Sequence, residues 1–148
     1  MTPQTFASLW TQAKRGQAPD DPELARVQKY MLMHDDMHAL FDAFARDPTQ
    51  PPVRDGENLM LHILMDATTE KALEWDQPPG IRKMLQGMLD GAIDPAVAFH
   101  ALSRAMQDEY LDAAAKGDDM NQSDFMIRAS QYAKQAYADR REKQQDED

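Results

Sequence analysis

The chain of 148 residues contains no cysteine, and it has only six glycines. Without cysteine there are no disulfides, no thiolate metal ligands and no cysteine nucleophile. A cysteine-free composition also fits a reducing compartment. The few glycines form neither a Gly-x-Gly-x-x-Gly pattern nor a P-loop, and no HExxH or GxSxG motif is present. The sequence therefore predicts no phosphate-binding loop and assigns no catalytic residue.

Long apolar runs are absent as well. No stretch reaches the roughly 18 apolar residues that a membrane-spanning helix requires. The opening residues "MTPQTFASLW" place no basic segment before an apolar run, so a secretory signal is not expected. The sequence thus predicts a cytoplasmic protein that does not enter a membrane.

Basic residues are fewer than acidic residues in this chain. Lys and Arg number 16 against 26 Asp and Glu, which gives a formal net charge of −10. Such a chain repels phosphate backbones, so nucleic acid is excluded as the expected partner. We expect the partner to be a protein or a small ligand, and a cation is also electrostatically favoured.

Apolar residues recur at helical rather than alternating spacing, and β-branched residues are sparse. Three helix starts are marked by a capping residue followed by proline, at Thr2-Pro3, Asp21-Pro22 and Asp94-Pro95. The pattern predicts an all-α, single-domain helical bundle of about six helices over residues 1–138. Residues 139–148 carry no apolar side chain and are predicted to form a disordered, charged tail.

His62, Asp66 and Glu70 follow one another at intervals of four. At about 100° per residue, these side chains fall within one narrow arc of a helix. Leu59 and Ile63 share that arc, which places the polar stripe in or beside the core. Buried carboxylates and histidines need partners, which could be a metal ion or hydrogen-bonding groups on another helix.

The candidate metal ligands come from three predicted helical regions. They are His62, Asp66, Glu70, His34, His38, His100 and Asp108. Histidine and carboxylate sets without thiolates suit iron, manganese or zinc, and helix bundles build such sites from facing helices. The competing interpretation is a polar structural seam, in which His62 and Asp66 are an ordinary i,i+4 pair. His100, Arg104 and Asp108 also share an arc that is typical of a solvated helix face.

The stretch "DQPPG", residues 76–80, interrupts the helical pattern. Two prolines reduce the freedom of the unfolded loop, and Gly80 permits an unusual backbone angle. We interpret it as a rigid interhelical turn in which Arg82 closes over Asp76.

Three segments resemble a known bacterial family, the domain of unknown function 1841 (DUF1841). They are "HDDMHALF" at 34–41, the stretch from Asn58 that ends in "DQPPGIR" at residue 82, and "FHALSRAMQDEYLDAAAKG" at 99–117. "DQPPGI" is the most specific part, and the resemblance extends over most of residues 22–135. The family has no assigned activity, so the resemblance implies a fold and a residue pattern.

The family pattern includes all four histidines. The positions that match it are His34, His38, His62, Glu70, His100, Asp108 and Asp112. Two positions depart, since the family tends to carry His where this chain has Asp66 and Glu where it has Arg104. Aspartate can still ligate a metal, whereas arginine cannot and would oppose a nearby cation. The second departure favours a salt-bridged seam.

The sequence leads to two functional hypotheses. The leading one is a helical domain that acts through contacts with a protein or a small ligand, with a buried His/carboxylate seam. The alternative is a metal-binding helical bundle that holds iron, manganese or zinc, with metalloenzyme activity as its extension.

Overall fold

The computed structural model describes residues 1–147 and is dominated by helices, which confirms the all-α prediction. The described residues form seven α-helices, where the sequence predicts about six. The chain divides into two compact units, Met1–Ala67 and the part that begins at Thr68, so the boundary lies inside the fourth helix. None of the helices within residues 1–147 has both the length and the apolar character needed to cross a membrane.

The first unit contains three helices, a small hairpin and the first part of a fourth helix. In chain order these are α1 (Pro3–Lys14), α2 (Pro22–Met33), a 3-10 turn (Asp35–Met37), α3 (His38–Arg46), β1 (Val53–Arg54), β2 (Glu57–Asn58) and the start of α4 (Leu59–Trp75). The side chains of Thr2 and Asp21 cap α1 and α2, as their cap-plus-proline pairs predict. Asn58 likewise accepts from the amide of Leu61 at the start of α4.

An aromatic cluster forms the core of the first unit. Phe6 on α1 meets Phe41 and Phe44 of α3 edge to face, with ring centroids 5.7 and 5.8 Å apart. Trp10 packs on Phe41 at 5.4 Å, and its indole N–H donates to Asp42 at 2.8 Å. This packing ties α1 to α3. It therefore also holds in place the 3-10 turn that connects α2 to α3.

The second unit contains the end of α4 and three further helices. These are α5 (Ile81–Asp90), α6 (Pro95–Lys116) and α7 (Gln122–Glu147). Arg128 on α7 contacts Glu109 on α6, while Arg140 near the end of α7 reaches Ala92 just before α6 begins. The two long helices therefore run antiparallel. Small side chains such as Ala105 are buried on this pair and allow close packing.

Hydrogen bonds of Arg82 connect the two ends of the "DQPPG" turn. The amide of Arg82 donates to the carboxylate of Asp76 at 3.1 Å. The guanidinium of Arg82 donates instead to the carbonyls of Leu73 and Glu74, at the end of α4. Arg82 thus caps a helix C-terminus, where carbonyls lack helical partners and a cation is favoured.

The segment from residue 139 belongs to α7, which ends at Glu147. Within it, Arg140 donates to the carbonyl of Ala92 at 2.9 Å. The division into a helical domain over residues 1–138 and a disordered tail over residues 139–148 stays a prediction, and Asp148 lies outside the described residues.

Two glycines beside α7 provide a matched stability test. A Cβ at Gly91 would lie 2.6 Å from a ring carbon of Tyr137, whereas one at Gly87 would lie 3.9 Å from the Tyr137 hydroxyl. We expect Gly91→Ala to lower the free energy of unfolding by about 1–3 kcal/mol, because the ring must shift. Gly87→Ala should raise it by about 0.5–1 kcal/mol, because alanine is the better helix former. Urea denaturation measures both, and equal stability of the two variants would contradict the predicted clash.

Candidate functional site

Three of the candidate ligands meet in the first unit. Nε2 of His34 lies 2.8 Å from Oδ2 of Asp66, and Nε2 of His62 lies 3.5 Å from the same oxygen. The potential ligand atoms of the three residues all lie within 4.8 Å of one another. The two imidazole rings are 5.1 Å apart and nearly perpendicular. We refer to these residues as the His–Asp cluster.

Local helix geometry explains how these side chains come together. His62 and Asp66 are one turn apart on α4, as their spacing predicts. His34 stands at the C-terminal end of α2, where the helix gives way to the 3-10 turn. The Asp66 side chain is only 5% exposed and that of His34 is 28% exposed. The imidazole of the partly exposed His34 therefore contacts the buried carboxylate of Asp66.

A hairpin positions the ring of His62. The carboxylate of Glu57, on β2, contacts Nδ1 of His62. Asp55 and Gly56 both have positive φ, as a two-residue type I′ turn requires, and an Asp-Gly pair favours this turn. The turn pairs Arg54 with Glu57 across the hairpin. It therefore delivers Glu57 next to α4.

The hairpin is also tied to the turn that follows His34. The guanidinium of Arg54 lies 2.9 Å from the carboxylate of Asp36 and donates to its carbonyl at 3.2 Å. In addition, the amide of Leu59 donates to the carbonyl of Pro52 at 2.8 Å. These contacts hold the hairpin against both chain segments that supply the cluster.

Protonation of His34 is favoured in the folded protein. The hydrogen bond from its imidazole to Asp66 raises the pKa of His34 above the ordinary value of 6.5, although burial opposes the shift. The charges of Asp66 and Asp36 act in the same direction as the hydrogen bond. The proton on His34 thus offsets part of the charge of the buried Asp66 carboxylate.

The other predicted ligands have different environments. His38 belongs to the first unit, where its Nε2 lies 3.0 Å from the carbonyl oxygen of Met31 and its ring packs on Trp10. Glu70, His100 and Asp108 belong to the second unit.

Within the second unit these three side chains differ in exposure and in partners. Glu70 is half-buried on α4, and His100 is exposed on α6. Asp108 accepts from the hydroxyl of Tyr132, and Nε of Arg104 lies 3.7 Å from it. The sequence predicts that Arg104 would oppose a nearby cation. In the structure its side chain has the carboxylate of Asp108 beside it.

Sequence reasoning missed Glu57. Its signal is the Asp-Gly turn at residues 55–56, which makes the preceding and following residues short strands. A carboxylate on such a strand, five residues before His62, lies within reach of the first turn of α4. The three prolines of residues 46–56 predict a loop there, and the hairpin begins inside that stretch.

The raised pKa of His34 can be tested in metal-free protein. In chelator, the NMR titration midpoint of His34 should lie above 6.5 and fall in Asp66→Asn. Since the folded pKa exceeds the unfolded one, the stabilisation is complete below pH about 6.5 and is lost as the pH rises through the folded pKa. A midpoint at or below 6.5 in the unmodified chain, or one that Asp66→Asn leaves unchanged, would contradict the His34–Asp66 contact.

Comparison with known proteins identifies the family of the chain. No curated protein and no solved structure matches the chain. One family model, the domain of unknown function DUF1841, matches residues 2–131, which is most of the 148-residue sequence. The match includes every residue of the His–Asp cluster, together with Glu57. The chain belongs to the DUF1841 family.

Proposed function

We propose that the His–Asp cluster binds a divalent transition-metal ion. The observation that carries the proposal is the pair of imidazole nitrogens directed at one buried carboxylate oxygen. Nε2 of His34 and Nε2 of His62 lie 2.8 and 3.5 Å from Oδ2 of Asp66. Ligand atoms around a tetrahedral ion at about 2.0–2.2 Å are roughly 3.3–3.6 Å apart. Small side-chain movements are enough to reach that geometry.

The contact with Glu57 supports the same proposal. When Nδ1–H of a neutral His62 donates to the Glu57 carboxylate, the lone pair of Nε2 faces the oxygen of Asp66. In that tautomer, a cation between Nε2 and the carboxylate oxygen would be bound by both atoms. A carboxylate that orients a histidine through its second nitrogen is also the usual outer partner of a metal-ligating histidine.

Two imidazoles and one carboxylate, with no thiolate, suit iron, manganese or zinc. Three protein ligands leave coordination positions open, as in catalytic rather than purely structural zinc sites. When bound, such an ion supplies Lewis acidity and lowers the pKa of a coordinated water. Metal binding is the proposed function, and the partial exposure of His34 gives the ion access from solvent.

The seam that the sequence predicts is the metal-free form of the same cluster. There the hydrogen bond from His34 compensates the charge of Asp66. A metal must displace a proton from His34, so its apparent affinity rises with pH through the raised pKa of that residue. The function through contacts with a protein or small ligand, which the sequence favours, stays a prediction, and so does the cytoplasmic location.

The direct test is metal titration of protein that has been stripped with chelator. Calorimetry with Zn²⁺, Mn²⁺ and anaerobic Fe²⁺ should show one site per chain for at least one ion. At about 100 times Kd, that ion should stabilise the fold by about 2.7 kcal/mol in thermal melts. His62→Ala and Asp66→Asn should abolish stoichiometric binding, whereas His38→Ala should retain it.

His38→Ala is the matched control, because it removes an imidazole from the same unit outside the cluster. Circular dichroism and urea melts would establish that each variant is folded before titration. Absence of stoichiometric binding for all three ions, or equal binding by the Asp66→Asn and His38→Ala variants, would overturn the proposal.

Glu57 should tune this site without contacting the ion. We expect Glu57→Gln to weaken metal binding by roughly 10–100-fold, as is typical when an outer carboxylate partner of a ligating histidine is lost. Asp35→Asn removes the same charge from an exposed position of the same unit and should change the affinity less than threefold. Titration calorimetry on both variants separates the two effects. If they weaken binding equally, Glu57 contributes only through general electrostatics.

A further inference from the structure

A second candidate site lies in the second unit, where the end of α4 faces α6 and the start of α7. Its cavity has a volume of about 440 Å³. Most of the lining is apolar, and it comes from Ala72, Trp75, Pro78, Met106, Met120 and Phe125. Both the size and the composition fall in the range of ligand-binding clefts. We call it the Trp75 groove.

Trp75 is the main exposed feature of this groove. Its side chain is 69% exposed, whereas Trp10, the only other tryptophan of the chain, is 3% exposed. A large exposed tryptophan beside an apolar cleft marks an interaction site, because tryptophan is enriched among the residues that dominate binding energy. Met106 and Met120 add side chains that adapt to different occupants.

One wall of the groove is held in place by a buried carboxylate and its two hydrogen-bond donors. The carboxylate of Glu109, which is almost fully buried, accepts from the amide of Asn121 at 2.9 Å and from Nε of Arg128 at 3.2 Å. These bonds fix the loop that carries Met120. The Arg82 cap described above fixes the other wall, because it closes the helix end that carries Trp75. The groove is therefore formed before anything binds, which lowers the ordering cost of binding.

Charge around the groove selects the occupant. Four exposed acids stand within two residues of a lining position in the sequence, and we call them the acidic rim: Glu74, Asp118, Asp119 and Asp124. Lys71 is the one cation in the lining. A second copy of this chain, with its net charge of −10, is electrostatically disfavoured at such a rim. The terminal residues 139–148 have no apolar side chain to place in the groove.

We propose that the Trp75 groove binds an amphipathic basic helix of a partner protein. Its apolar face would enter the groove, as in other helix-in-groove complexes, and its Lys and Arg residues would meet the acidic rim. This inference is independent of the metal proposal, because it concerns residues of the second unit alone and is tested in the presence of chelator.

The probe is a synthetic peptide of about 16 residues, made of leucine and lysine at helical spacing and free of tryptophan. Titration of the peptide should shift the Trp75 emission to the blue and protect it from acrylamide quenching. Binding should weaken as salt is raised, because the rim charges are exposed. A peptide with glutamate in place of lysine should not bind.

Two charge-matched substitutions test the location. Met120→Asp places a carboxylate in the groove, whereas Ile127→Asp places one at an exposed position of α7 outside the lining. We expect Met120→Asp to weaken peptide binding at least tenfold and Ile127→Asp to change it less than twofold. Circular dichroism confirms that both variants are folded.

The remaining outcomes each oppose the proposal. If the leucine–lysine peptide does not bind, or binds both variants equally, the groove is not its site. Binding of decanoate that Met120→Asp abolishes, without peptide binding, would show a small-molecule pocket instead. A dimer in sedimentation experiments that Met120→Asp dissociates would show that the groove contacts a second copy.

Discussion

Compensation of the buried charge of Asp66 is the constraint on which the site depends. A carboxylate removed from water must be met by a proton, a cation or several hydrogen bonds. Here the end of α2, the first turns of α4 and the hairpin between them all contribute to that compensation. The aromatic core then matters for function as well as stability, because it fixes α3 and so the turn that begins at His34.

Cap-plus-proline pairs locate helix starts well because they act locally: Asp94 bonds to an amide two residues away and needs no other element. The i,i+4 relation of His62 and Asp66 is local in the same sense, so the sequence predicts that they share a face. The meeting of His34 with Asp66 spans 32 residues and depends on how α2 packs, which spacing alone does not encode. Glu57 was missed because a two-residue strand has no periodicity to detect.

The two proposed sites differ in the chemistry that each unit uses. In the first unit, two imidazoles lie beside one buried carboxylate oxygen. The second unit places its buried carboxylate, Glu109, against an arginine, which always carries its proton and so behaves as a fixed structural pair. Both carboxylates are buried, but an imidazole partner can release its proton to a metal ion whereas the arginine partner of Glu109 cannot.

The Asp-Gly hairpin has a dynamic consequence. Its strands are two residues long, so it can open at a lower free energy than the helices that flank it. Opening would withdraw Glu57 and free the ring of His62 to turn, while α2 and α4 stay intact. Opening of residues 53–58 would thus change the orientation of one imidazole of the cluster without unfolding the first unit.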